Sequence, residues 1–124
     1  MTFTQINLKK SLRILIILNA LVSFCITWNI FVVQNFSLLK FNLSTLIILI
    51  YAGLWFFCLY KLYTLSKFGR IFYLYLVVVG FIFHIISNTD IFGKIYYTLS
   101  LFEHLIIGSI ITITYLTKIK SDFK

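Results

Sequence analysis

The chain has 124 residues and no proline, is 61% hydrophobic and 11% charged, and carries 11 Lys+Arg against 3 Asp+Glu. Soluble domains are about 45–50% apolar and about 25% charged, so this balance excludes a soluble globular domain, and its hydrophobicity excludes disorder. What remains is an integral membrane protein, expected to form one transmembrane domain over 1–124.

Lys9, Lys10 and Arg13 precede the first apolar run, 14–33. That run exceeds the roughly 7–15 residues of a signal-peptide core, and no small-x-small cleavage pattern follows, so a retained anchor is expected. Its helix is expected over 12–33, with Asn19, Ser23 and Thr27 spaced by four. A second helix is expected over 43–62, with Ala52 and Gly53 as close-approach points and Tyr51 and Trp55 deep in the span. The third, 71–88, carries Gly80 and His84, and the fourth, 95–117, carries Ser100, Glu103, His104, Gly108 and Thr112. Each is close to the ~20 residues that cross a bilayer core. The links, 34–42, 63–70 and 88–94, are short, which makes sequential helices antiparallel neighbours. The expected fold is therefore all-α, a polytopic up-down-up-down bundle of four transmembrane helices, because only helices of this length satisfy the backbone within one segment in lipid.

Charge gives the orientation. Lys9, Lys10 and Arg13, then Lys61, Lys67 and Arg70, then Lys118, Lys120 and Lys124 fall at one face, against Lys40 and Lys94 at the other. The positive-inside rule places both termini in the cytoplasm. The net charge of +8 thus reads as topology, with generic attraction to anionic headgroups; no nucleic-acid partner is expected, because the cations are not grouped on one presented element. Tyr60, Tyr63, Tyr73 and Tyr115 are expected in the inner aromatic belt, and Trp28, Tyr96 and Tyr97 in the outer one. Tyr51 and Trp55 are expected to face the bundle, where their polar tips find partners. Cys25 and Cys58 are expected as free thiols, since their depths differ by about 12 Å along the helix axes and a bridge needs Cα atoms within about 7 Å.

Glu103 is the one acid inside a span. An intramembrane carboxyl is costly and marks a functional site by default; as a neutral acid it would donate a hydrogen bond within the bundle or to a partner helix. His104 points about 100° away on the same helix. It belongs to the spaced-by-four series Ser100, His104, Gly108 and Thr112, which, like Asn19, Ser23 and Thr27, is expected to form close helix contacts. Reflection through the short outer link places His84 opposite residue 97, roughly 10 Å from the depth of His104, which disfavours a shared haem. The same reflection sets Glu103 beside Gly80. No metal or cofactor is expected, since no close set of Cys, His and carboxylate ligands is present. No phosphate loop, nucleophile elbow or protease helix motif appears, so no enzyme activity is expected.

The small four-helix multidrug exporters resemble this chain in length and helix count, but carry their essential Glu in helix 1, where this chain has no acid. The double-barrelled fluoride channels match in size but have a Gly-rich start and a broken third helix, both lacking here. Phage holins and immunity proteins against pore-forming bacteriocins share the bulk character. The stretch 108–123, closing YLTKIKSDF, resembles the closing segment of uncharacterised small bacterial inner-membrane proteins, a likeness of about one helix that implies no activity. The missing proline favours unbroken helices. Abundant Ile, Phe, Lys, Asn and Tyr fit an AT-rich bacterial genome, with an organellar inner membrane as the alternative. The expected role is a non-enzymatic accessory, interaction or immunity-type protein of the bacterial cytoplasmic membrane. It would act through lateral contacts with the lipid bilayer, a membrane protein partner or a second copy. The alternative is a small transporter or channel component using Glu103.

Overall fold

A computed structural model describes residues 3–33, 43–86 and 93–124. The expected links 34–42 and 88–94, the end of the third helix at 88, and the charges Lys40 and Asp90 lie wholly or partly outside the described residues. Four helices are present: α1, Phe3–Val33; α2, Leu43–Tyr63; α3, Lys67–Ile86; and α4, Gly93–Leu116, followed by a 3-10 turn at Lys118–Asp122. All four are long and apolar enough to cross a membrane. No strand occurs among the described residues.

Side-chain pairings fix the topology. Arg13 lies over the Tyr63 ring at 5.2 Å while Ser23 meets Trp55, so α1 and α2 are antiparallel. Cys58 donates to the Gly69 carbonyl (3.4 Å) and Tyr51 to that of Leu76 (2.9 Å), which runs α3 against α2. His84 stacks on Tyr96 and Arg70 on Tyr115, which runs α4 against α3. Ser23 with Glu103 and Lys9 with Asp122 close the ring between α1 and α4. The bundle is up-down-up-down, with the N- and C-terminal segments at one end.

The buried positions follow a heptad-like step. In α1 they are Leu12, Ile16, Asn19, Ser23 and Ile26; in α4 they are Ser100, Ile107, Ile110 and Thr114, with Glu103 half-buried in the same row. Alternating steps of three and four average 3.5 residues, the spacing that keeps a seam facing its partner along left-handed, nearly parallel helices. A strict step of four advances about 40° each time. The expected series from Ser100 to Thr112 therefore winds about 120° around α4, out of the bundle and toward lipid. Gly108 and Thr112 are exposed and a Cβ at Gly108 would meet nothing within 4 Å, so neither packs between helices of the bundle. Gly53 is likewise exposed with open space above it.

The dense core lies at the end that holds both termini. Leu12, Ile16, Leu59, Leu62, Tyr73 and Ile110 are joined there by Ile119 and Phe123 from the closing turn. Tyr73, placed in the interfacial belt on sequence grounds, is 1% exposed, because its hydroxyl accepts from Asn19 Nδ2 at 2.9 Å and its ring packs on Trp55. Three helices start earlier than expected, α4 by two residues and α1 and α3 by more. The first turns of α1 are tied to the closing turn by the Lys9–Asp122 ion pair at 3.2 Å. The α3 helix begins at Lys67, whose amide donates to the Lys124 carbonyl at 2.7 Å.

The α2–α3 corner is a tight reversal. Ser66 N bonds to Lys61 O and Leu65 N to Leu62 O, both at 3.0 Å, the pair of bonds of a Schellman cap. Leu65 takes the left-handed position with φ 58°, normally a glycine site. The helices then close on Gly69, where a Cβ would meet the Lys61 carbonyl carbon at 2.7 Å and Leu62 N at 2.8 Å.

Candidate functional site

Beyond the dense core, toward the end opposite the termini, the two helix pairs part around a cavity of about 480 Å³. Its walls come from all four helices: Ser23 and Thr27 of α1, Tyr51 and Trp55 of α2, Gly80 and His84 of α3, and Tyr96, Ser100, Glu103 and His104 of α4, among apolar residues such as Ile26, Phe81 and Ile107. No Lys or Arg lines it among the described residues. Its volume falls within the roughly 300–1,000 Å³ typical of small-molecule sites, and its composition, mostly apolar with a few convergent polar groups, is also typical.

A polar ladder runs from the cavity wall, at Ser23 and Glu103, into the dense core. Tyr73, Asn19, Ser23 and Glu103 are connected in that order: Asn19 Nδ2 donates to Tyr73, Ser23 lies 3.5 Å from Asn19 Oδ1, and the Ser23 hydroxyl meets Glu103 Oε1. Trp55 Nε1 donates to Ser23 Oγ at 2.9 Å. A serine hydroxyl has one proton to give. With Glu103 ionised, Ser23 gives it to the carboxylate while accepting from Trp55. With Glu103 neutral, the acid donates to Ser23, whose proton turns to Asn19 Oδ1. Rotation of a single hydroxyl thus follows the protonation state of Glu103: every group of the ladder is paired when the acid is neutral, whereas ionisation takes the Ser23 proton from Asn19 Oδ1. Asn19 is fully buried and Ser23 6% exposed, so these groups are fixed by the packing of α1 against α4 and α2 rather than by solvent. Thr27 returns its hydroxyl to the Ser23 carbonyl (2.8 Å) and borders the cavity.

The histidines differ from expectation. His84 and His104 come together, with ring centroids 5.6 Å apart and planes inclined at 59°. Helical Cα–Cβ bonds tilt toward the helix N-terminus. In antiparallel α3 and α4, His84 leans toward the termini end and His104 away from it, so the two side chains bridge the axial offset that separates their backbones. Depth therefore does not keep them apart. His104 Nδ1 lies 2.6 Å from the Ser100 carbonyl, the geometry of an N–H donating to that oxygen, and His84 stacks on Tyr96 at 6.2 Å. Among the described residues no group of three or more His, Cys, Asp or Glu could hold a metal ion.

No protein-family model, curated protein or solved structure matches the chain.

Gly80 does not shelter Glu103. A Cβ there would collide with the hydroxyl of Tyr51, and the missing side chain lets Tyr51 cross to the Leu76 carbonyl on α3. The sequence places Tyr51 toward the bundle but does not reveal this partner, because a hydrogen bond to a main-chain carbonyl of another helix leaves no residue pattern. Gly80→Ala is expected to displace Tyr51 and cost about 1–2 kcal/mol. In the Tyr51→Phe background the same substitution should cost clearly less, a non-additivity read by thermal unfolding of the four proteins in one detergent.

Of the other residues singled out by sequence, Asn19, Ser23 and Ser100 are buried between helices. Thr27, Gly80, His84, Glu103 and His104 border the cavity, whereas Gly53, Gly108 and Thr112 do not. Tyr96, expected at the outer interface, also helps wall the cavity. Cys25 is exposed and Cys58 buried, and both are free thiols.

Proposed function

We propose that the protein is a small transporter or channel component that takes a small organic cation into the four-helix cavity, with Glu103 as its charged contact. The carrying observation is a roomy, aromatic-walled cavity whose described lining holds one acid and no Lys or Arg. A carboxylate in an apolar site requires a compensating cation or a proton, and a quaternary or protonated amine gains further from the faces of Tyr and Trp. Loading and release can then exchange an organic cation for a proton on Glu103, with the Ser23 hydroxyl following either state. In proteoliposomes with an imposed pH gradient, the protein is expected to drive accumulation of radiolabelled benzyltrimethylammonium, and Glu103→Gln to reduce it to the protein-free leak. Uptake by Glu103→Gln equal to that of the natural protein would contradict the reading.

The proposed setting is the bacterial cytoplasmic membrane, or an organellar inner membrane, with both termini on the cytoplasmic side. The concentration of Lys and Arg at the termini end supports it. A green fluorescent protein fused after Lys124 should be fluorescent in bacterial cells, and alkaline phosphatase fused there inactive; the reverse pattern would place the termini outside. The role is non-enzymatic and needs no nucleic acid.

A second reading is an accessory or immunity-type protein working by lateral contact with a membrane partner or another copy. The exposed small face of α4, Gly108, Ser109 and Thr112, supports it, since small residues let helices approach closely in lipid. That role predicts that Gly108→Leu abolishes recovery of a partner from native membranes while leaving cation uptake intact.

A further inference from the structure

At the termini end, on the opposite side of the dense core from the cavity, lies a second concavity. Lys67 and Arg70 from the start of α3 and Lys118 and Lys120 from the closing turn line it, and no acid does among the described residues. Asp122, the described acid of the same turn, is already engaged by Lys9 at 3.2 Å.

Arg70 distinguishes this concavity from an ordinary basic rim. The positive-inside rule asks only for cations on one side, and exposed lysines meet it. Lys67, Lys118 and Lys120 are exposed in this way, but Arg70 is 9% exposed. Its guanidinium is held between the rings of Tyr115 (5.2 Å) and Phe123 (5.3 Å), and Nη1 donates to the Lys120 carbonyl at 3.1 Å. Its Nε is buried and has no hydrogen-bond partner. No carboxylate pairs with it among the described ion pairs. A buried cation without a counter-ion is costly, and a guanidinium pre-aligned by aromatic faces is the side chain best suited to a tetrahedral oxyanion.

We propose that this concavity is a phosphate-binding site, in which Arg70 and the three lysines complete their charge balance with the phosphate group of an anionic ligand. The site lies where α2 ends, α3 begins and α4 ends, which is headgroup depth for helices that span the bilayer. An anionic phospholipid headgroup and a soluble phosphate compound both present this chemistry.

The test uses full-length protein in a neutral mild detergent. Short-chain phosphatidylglycerol, short-chain phosphatidylcholine and inorganic phosphate are each titrated and bound ligand is counted by native mass spectrometry. One anionic ligand per protein is expected, with saturation. The double substitution Lys118→Gln/Lys120→Gln, on exposed side chains, should weaken it about tenfold or more. The charge-matched double Lys10→Gln/Lys61→Gln, outside the concavity, should change it little. Arg70→Lys keeps the charge but loses the fork and should weaken binding in the same way while the chain still folds. Saturable binding of phosphatidylglycerol that inorganic phosphate does not displace identifies the lipid as the source. Saturable binding of inorganic phosphate identifies a soluble ligand. Equal weakening by the two charge-matched doubles, or no saturable binding of either anion, would overturn the proposal.

Discussion

Glu103→Gln is expected to weaken binding of a small organic cation by about 2 kcal/mol or more, roughly thirtyfold in Kd, since removing one partner of a desolvated charge pair leaves the other uncompensated. Gln keeps the size of the side chain and can still bond with Ser23, so the bundle should fold and unfold as before. Titration calorimetry in detergent separates the two effects, with affinity read from the isotherm and stability from a parallel melt. Ser23→Ala should be milder for binding, about 1 kcal/mol, because Glu103 stays in place and only its ladder partner is lost. An unchanged Kd in Glu103→Gln, with a lowered melting temperature, would make Glu103 a packing residue and favour the lateral-contact reading.

The largest expected effect on stability is at Gly69. An added Cβ would press on the Lys61 carbonyl carbon and Leu62 N, at 2.7 and 2.8 Å, both backbone atoms that cannot rotate away. The α2–α3 corner must open, and Gly69→Ala is expected to cost about 3 kcal/mol, the upper range for overpacking. Cys58 reports on the same corner, since its thiol is fully buried and donates to the Gly69 carbonyl at 3.4 Å. In a Cys25→Ala background, N-ethylmaleimide should label Cys58 slowly in the natural sequence and at least several times faster in Gly69→Ala. Equal labelling rates and equal melting temperatures would contradict a tight α2–α3 contact at Gly69.

Hydropathy and length made four spans and their alternation legible, because lipid allows few other solutions for a run of this apolarity. They could not set the helix ends on the side of the termini. Lys67 and Arg70 look like residues that stop a span, yet α3 begins at Lys67 because Tyr115 and Phe123 cover the guanidinium of Arg70. The first turns of α1 are likewise helical through contacts with the closing turn, which no local pattern announces.

For the site, Glu103, Ser23 and Asn19 stood out because polar groups are rare in lipid and each needs a partner. Their connection to one another did not, since it depends on which helices adjoin. Tyr73 was hidden by its position near a span end, where tyrosines usually anchor the interface. The meeting of His84 and His104 was hidden because counting residues along an axis follows Cα atoms, whereas side chains lean toward the helix N-terminus. The cavity itself has no sequence signature. It arises where the pairing of α1 with α4 and of α2 with α3 diverges beyond the dense core, and its walls are drawn from residues up to 84 positions apart, Ser23 to Ile107.

The most direct measurement places the cation within the cavity. Trp55 walls it and Trp28 is 64% exposed on the outside of the bundle, so a Trp28→Phe protein carries its only indole at the site. Titration with benzyltrimethylammonium should change Trp55 emission along a saturating curve, and Glu103→Gln should shift that curve to roughly thirtyfold higher concentration. A linear, unsaturable change, or superimposable curves for the two proteins, would contradict a cation site at Glu103.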